Sequence, residues 1–430
     1  MYEIKETRLD NGLLVLTKEV HAAPVAALWL WYRVGSRNEK TGSTGISHWV
    51  EHMMFKGTPR FGKGDIMRLV NRNGGTLNAM TWQDFTTYYE ILPSDRFDLA
   101  LEIESDRMVN SLFDPQEVQS ERTVIISERE GSENNPSFHL YEELLAAAFK
   151  VHTYGHETVG WTCDLQAMTR DDLYAHYRTY YTPNNAILVL IGDFKTEYLL
   201  DKVYRLFGSI PAGPAAPPVT VVEPPQEGER RVIVRRPGGT AYVSVAFHAP
   251  AASHRDFWPM FVLAGVLSGV GSLNFTSPGA SGKSARLYRA LVATKLATDA
   301  NVFYAPSIDP NLFTVNATAW QGVAPRRIEA VILAELSRLC KEPPSREEIT
   351  TVQKQVKTQV IYAADGVANL GYSLGAFEIV SSYRDYLNML DSVGRVTPED
   401  VQRVAATYLT ELNRTVGWFV PTDEHGGHHG

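Results

Sequence analysis

The chain has 430 residues, 44% of them hydrophobic and 21% charged, with a formal net charge of −8. That length is too great for one ordinary core and suits two domains of about 200 residues each. The composition excludes a disordered or fibrous chain, and no basic domain stands out, which argues against nucleic acid as a partner. The first residues show no signal-peptide core, and no apolar run of about 18 residues suggests membrane insertion. Cys163 and Cys340 are too few for a disulfide framework, so the expected setting is a reducing, cytoplasmic one.

Asp10-Asn11-Gly12 marks a turn, and LLVLTKEV and APVAALWLWYRVG after it read as strands. Gly42 to Gly45 form a loop in which Ser43 or Thr44 would cap the next helix. That helix carries HWVEH, His48 to His52, and stops by Gly57 and Pro59. A second helical pattern runs from Gly64 to Asn73, and TLNAMTWQDFTTYYEILP reads as two strands. FDLALEIESDRMVN and PQEVQSERTVIISERE follow as helices, with Pro115 suited to a first helical turn. Thr169 would cap the helix TRDDLYAHYRTYY, and NNAILVLIGDF closes this half as a buried strand. Ile210 to Glu229 holds six prolines and reads as a semi-rigid linker. Beyond it, RRVIVRR, TAYVSVAFHAP and RTVGWFVP read as strands. RDFWPMFVLAGVLSG, ITTVQKQVKTQVIYAA and TPEDVQRVAATYL read as helices.

The two halves repeat one pattern. TRDDL at Thr169 lies beside TPEDV at Thr397, Tyr180 beside Tyr408, and Asn185 beside Asn413. QEVQSERTVIISE lies beside EEITTVQKQVKTQ, which sets Glu121 on Val352 and Glu128 on Gln359. Nothing in the second half answers HWVEH. The expected fold is α+β, an internal duplication with domains at 1–209 and 230–430 and a linker at 210–229. Each domain would be a mainly antiparallel sheet with helices on one side, the pair closing as a clamshell.

On a helix, His48 and His52 lie one turn apart on one face, which Glu51 shares. Two imidazoles and a carboxylate aimed at one point suit a zinc ion with a base beside it, although two histidines at this spacing also arise by chance. Glu121 and Glu128, two turns apart, share a face of the most acidic helix of the first half.

HxxEH, a Glu some 76 residues after His52, and another Glu seven positions before that one resemble the pitrilysin/insulinase family of inverted-motif zinc peptidases. SHWVEHMMFKGT, GGTLNAMTWQDFTTYY and YGHETVGW add to the likeness. Size and two-copy layout are most similar to the mitochondrial processing peptidase branch and its bacterial relatives. The resemblance implies one zinc ion per chain held by His48, His52 and Glu128. It implies Glu51 as general base and Glu121 as the acid that orients a ligand. Leu77 to Thr81 resembles the family's edge strand, on which an extended peptide is added as a strand, with Asn78, Ala79 and Thr81 as contacts. The implied function is a zinc-dependent endopeptidase acting on unfolded polypeptide, as a homodimer or with a homologous subunit. The alternatives are a non-catalytic peptide-binding or assembly subunit of the same family, and a zinc hydrolase of another substrate class.

One departure stands out. Relatives carry an Arg and a Tyr in the second half that steady the substrate and the developing oxyanion, where this chain has Val292 and Thr298. Neither donates as those side chains do, and loss of such a donor costs roughly two to three orders of magnitude in rate. Arg286, Arg289 or Tyr304 would substitute, or a partner would supply the pair, or activity is weak. SPGASGKS, from Ser277 to Ser284, falls short of a phosphate-binding loop because Ser277 replaces the first glycine. His152 and His156 are expected to be structural, and His425, His428 and His429 belong to a Gly-rich tail.

Overall fold

The first sheet is assembled from β1 (Lys5–Arg8), β2 (Leu14–Glu19), β3 (Val25–Tyr32), β4 (Thr76–Thr81), β5 (Thr86–Pro93) and β6 (Ala186–Gly192), in the order β1-β2-β6-β3-β5-β4. The second uses β7 (Arg230–Pro237), β8 (Tyr242–Ala249), β9 (Ala297–Phe303), β10 (Asn311–Ala319) and β11 (Arg414–Thr422), in the order β7-β11-β8-β10-β9. Apart from β1, the second order repeats the first strand for strand. Each sheet also holds one parallel pair, β2 with β6 and β7 with β11, among antiparallel neighbours. The duplication extends to helix starts: Thr169 with Asp172 and Thr397 with Asp400 form the same reciprocal capping box. The computed structural model describes residues 3–271, 273, 282–364 and 366–422. The Ser277–Ser281 part of SPGASGKS and the tail histidines His425, His428 and His429 lie outside them. Among the described residues no helix is long and apolar enough to cross a membrane.

The chain divides into two units, but not at the boundaries expected from the halves. Unit 1 comprises 1–130, 156–220 and 363–387, and unit 2 comprises 131–155, 221–362 and 388–430. The halves thus exchange a segment each. The helix Pro136–Ala148, from the first half, packs on β7, β8 and β11 in unit 2. The helix Val367–Val380, from the second half, packs on β3 and β6 in unit 1. The expectation of helices on one side of each sheet is corrected accordingly. In β3, Ala26, Leu28, Leu30 and Tyr32 face the main core of unit 1, while Trp29 and Trp31 point the other way, to the exchanged helix. Gly371 and Gly375 let that helix lie directly on the two indoles, since a Cβ at Gly375 would sit 2.0 Å from Trp31 Nε1.

Deep in unit 1, Arg107 is fully buried with Glu90 and Glu104. Its Nε donates to Glu104 at 2.8 Å and its Nη2 to Glu90 at 3.2 Å, and the guanidinium lies 4.2 Å from the centre of the Tyr88 ring. Burial and the Glu104 charge hold the Glu90 carboxyl well above its ordinary range, against the pull of Arg107. Removing only the cation leaves buried carboxylates without compensation. Arg107→Met should therefore destabilise unit 1 by about 3–5 kcal/mol, read as an earlier urea midpoint in tryptophan fluorescence.

Candidate metal centre

The motif helix runs Ile46–Met53 and starts from Gly45, whose φ of 86° is left-handed. A Cβ there would lie 2.4 Å from the Val159 carbonyl oxygen, so the position needs glycine twice over. Neither Ser43 nor Thr44 caps the helix, as the sequence had suggested. The buried Glu39 carboxylate does so, accepting from Gly45 N–H at 2.8 Å and Ser47 N–H at 2.9 Å. A carboxylate satisfies these orphan donors and complements the positive end of the helix. Thr44 instead donates to Asp164 at 2.7 Å.

Trp49, Val50 and Met53 are wholly buried and fix the roll of the helix. With that face pinned, His48 and His52 come together, their ring centres 4.6 Å apart and inclined at 74°. The acidic helix, Pro115–Glu133, buries Val118, Glu121 and Ile125 on one stripe, and the next turn of that stripe brings Glu128 to the two histidines. Glu128 Oε2 lies 3.8 Å from His48 Nε2 and 3.6 Å from His52 Nε2. Zinc with bonds of about 2.1 Å would need its tetrahedral ligand atoms roughly 3.4 Å apart, so this donor set fits the ion with small adjustments. It is the one such group of three among the described residues.

Behind the donors the two histidines are held differently. His52 Nδ1 lies 2.8 Å from Glu121 Oε1, and Lys56 Nζ contacts the other oxygen of Glu121. An Nδ1–H donated to a carboxylate leaves the Nε2 lone pair facing Glu128. Burial works to lower the His52 pKa, but the Glu121 bond and the Glu51 and Glu128 charges outweigh it and leave it raised. His48 Nδ1 is buried with no partner among the described residues. Burial, reinforced by the His52 imidazole, brings the His48 pKa down to about 3, so this ring is neutral at pH 7 as a ligand must be. Glu51 is buried too, and burial raises its pKa against a hydrogen bond from Thr81.

The structure separates the three residues expected to touch substrate. β4 pairs only with β5 and is an edge strand, with Asn78 exposed and Ala79 half-buried on it. Asn78 Oδ1 accepts from the Ala79 N–H at 2.9 Å. Thr81 turns inward, its side chain buried against Glu51. Lys56, Glu39 and the inward Thr81 were not singled out for these places, since no spacing rule brings an acid six residues upstream to a helix start. His152 lies in unit 2, 3.1 Å from Asp309, and His156 in unit 1, near Glu39.

In unit 2, Val292 ends a short π-helical turn and Thr298 sits on β9. Of the expected substitutes, Tyr304 spends its hydroxyl on the Pro250 carbonyl at 2.7 Å, and Arg286 is held by both oxygens of Glu348 at 2.7 and 2.9 Å. Arg289 is the exposed one, 3.7 Å from Glu348.

Fold and donor set together define a class: a duplicated α+β chain whose first unit carries a cluster of two half-buried histidines and one exposed glutamate. The profile of the insulinase family, peptidase family M16, matches residues 14–161, and that of the peptidase M16 inactive domain matches residues 167–356. The chain belongs to this family. It is 28% identical over 411 residues to the mitochondrial-processing peptidase subunit beta of Blastocladiella emersonii, covering 95% of this chain and 87% of that protein. It is also 28% identical to the zinc protease PqqE of Helicobacter pylori, covering 96% and 92%. The crystal structure of a protease from Helicobacter pylori has the same fold, with a TM-score of 0.92 at 24% identity over 98% of this chain and all of that one.

Because Glu121 orients His52, Glu121→Ala should weaken zinc binding about 10–100-fold, measured by competition with a chromophoric chelator.

Proposed function

We propose that this chain is a zinc-dependent endopeptidase that hydrolyses extended or unfolded polypeptides. The observation that carries the reading is the convergence of His48, His52 and Glu128 with Glu51 on the same helix face. Those three residues would hold one zinc ion, and the chemistry it would supply is Lewis acidity, which polarises a peptide carbonyl and acidifies water. Glu51 then takes the proton from the attacking water and later passes it to the leaving amine. Glu121 keeps His52 in the tautomer that binds through Nε2, and Lys56 keeps Glu121 in place. The open edge of β4 suits a peptide backbone added as a strand, which favours substrates without structure of their own. The names of the relatives, a zinc protease and a processing peptidase subunit, agree with this chemistry.

A second reading, a non-catalytic peptide-binding or assembly subunit, is favoured by Val292 and Thr298 at the expected donor positions. Between the two stands a chain that binds zinc but needs a homologous partner, or a second copy, to supply the missing donors. Purified chain should bind one zinc ion and cleave a quenched unfolded peptide, alone or with such a partner, and a chelator should stop it. Glu51→Gln should keep the zinc and lose cleavage by at least about 100-fold. Zinc-free protein after metal loading, or undiminished cleavage by Glu51→Gln, would sink the proposal.

A further inference from the structure

The end of β4 reaches Glu51 from behind. Thr81 is buried, and its hydroxyl donates to Glu51 Oε2 at 2.6 Å. A threonine hydroxyl has one proton to give. The competing acceptor, Thr86 Oγ1, is 3.3 Å away and spends its own proton on the Val34 carbonyl at 2.9 Å. A carboxylate at 2.6 Å outcompetes a hydroxyl at 3.3 Å, so the Thr81 proton belongs to Glu51. This is the only hydrogen bond of the Glu51 side chain among the described residues.

A glutamate carboxylate otherwise turns easily, because its last torsion is broad and two-fold. Resting on the peptidase reading above, we infer that Thr81 is a positioning residue, which holds the Glu51 carboxylate in one orientation and directs proton uptake to Oε1. With Oε2 engaged as acceptor, Oε1 is the oxygen left for the incoming proton. In that step a water O–H bond breaks and the proton goes to Oε1. The electron pair stays on the water oxygen, which bonds to the peptide carbonyl carbon as the carbonyl π pair moves to its oxygen. The strand position adds a second consequence. Thr81 ends the same edge strand that carries Asn78 and Ala79, so one short segment sets both the line of a docked peptide and the orientation of the base.

The hydroxyl can be removed with little change of shape by Thr81→Val and retained without the methyl by Thr81→Ser, with Thr81→Ala in reserve should the valine variant not fold. In zinc-loaded full-length protein cleaving a quenched unfolded peptide, Thr81→Val should lower kcat about 10–100-fold and leave KM within about twofold. Zinc content should stay at the wild-type level, and Thr81→Ser should recover kcat to within about threefold of wild type. Crystal structures of the zinc-free variants should show the Glu51 carboxylate displaced in Thr81→Val and in place in Thr81→Ser. Wild-type kcat in the valine variant, a loss confined to KM, or a serine variant as impaired as valine would overturn the inference. Should the wild-type chain cleave nothing, the peptidase reading fails, and the crystal structures still decide: an unmoved Glu51 in Thr81→Val overturns the positioning role.

Discussion

An eight-residue helix here has to bury one face completely and offer titratable groups on the other. Trp49, Val50 and Met53 set its roll and Gly45 sets its start, so His48, Glu51 and His52 have little choice about where they point. The charge this exposes is answered from three directions. Glu39 accepts at the helix start, Glu121 holds His52 from behind, and Thr81 holds Glu51. Each partner comes from a different part of unit 1, a loop, a long helix and an edge strand. Buried polar groups are tolerated only when paired, and these pairs are what lock the three elements to the helix.

The two same-face pairs of the cluster were legible because helical spacing does that part of the geometry. Spacing put His48 with His52, and Glu121 with Glu128, on one helix face each. Only the family resemblance said that the two faces belong together, and the structure brings Glu128 to 3.8 Å from His48 and 3.6 Å from His52. Strands were legible where an apolar run followed a turn signal, as in β3, or where a Thr-, Tyr- and Phe-rich run alternated, as in β4 and β5. The exchanged helices were not. Val367–Val380 is apolar nearly all round and buried on most of its surface, so no stripe in its sequence says which sheet it covers. Nor could any local rule say that Pro136–Ala148 leaves the half that encodes it. The Glu39 cap was missed for a related reason: backbone N–H groups carry no signature in sequence, so an acid that serves them looks like any loop glutamate.

The exchange bears on how the two units depend on each other during folding. Each sheet has one face closed by a helix supplied from the other half of the chain, with Leu144, Leu145 and Ala148 joining Ala246 and Leu312 in a small core of unit 2. Neither half as encoded holds both faces of its own sheet. Contacts so distant in sequence carry a high loop-closure entropy, which slows folding relative to a fold of local contacts.

Duplication then shows what the two-histidine, one-glutamate cluster asks of the scaffold. At the position that the sequence repeat sets against Glu121, unit 2 has Val352, buried on the long helix Arg346–Ala364. A Cβ at Gly265, on the helix Phe257–Ser268, would stand 2.7 Å from the Val352 side chain, so the two helices meet there through bare backbone and a branched methyl. Replacing a buried ionic pair by well-packed apolar groups is generally neutral or stabilising. The same architecture is therefore comfortable without the histidine–glutamate pair, and keeping it in unit 1 is a cost in desolvation that hydrogen bonds only partly offset. A half-buried His48, whose Nδ1 has no partner among the described residues and whose pKa is brought down to about 3, carries part of that cost.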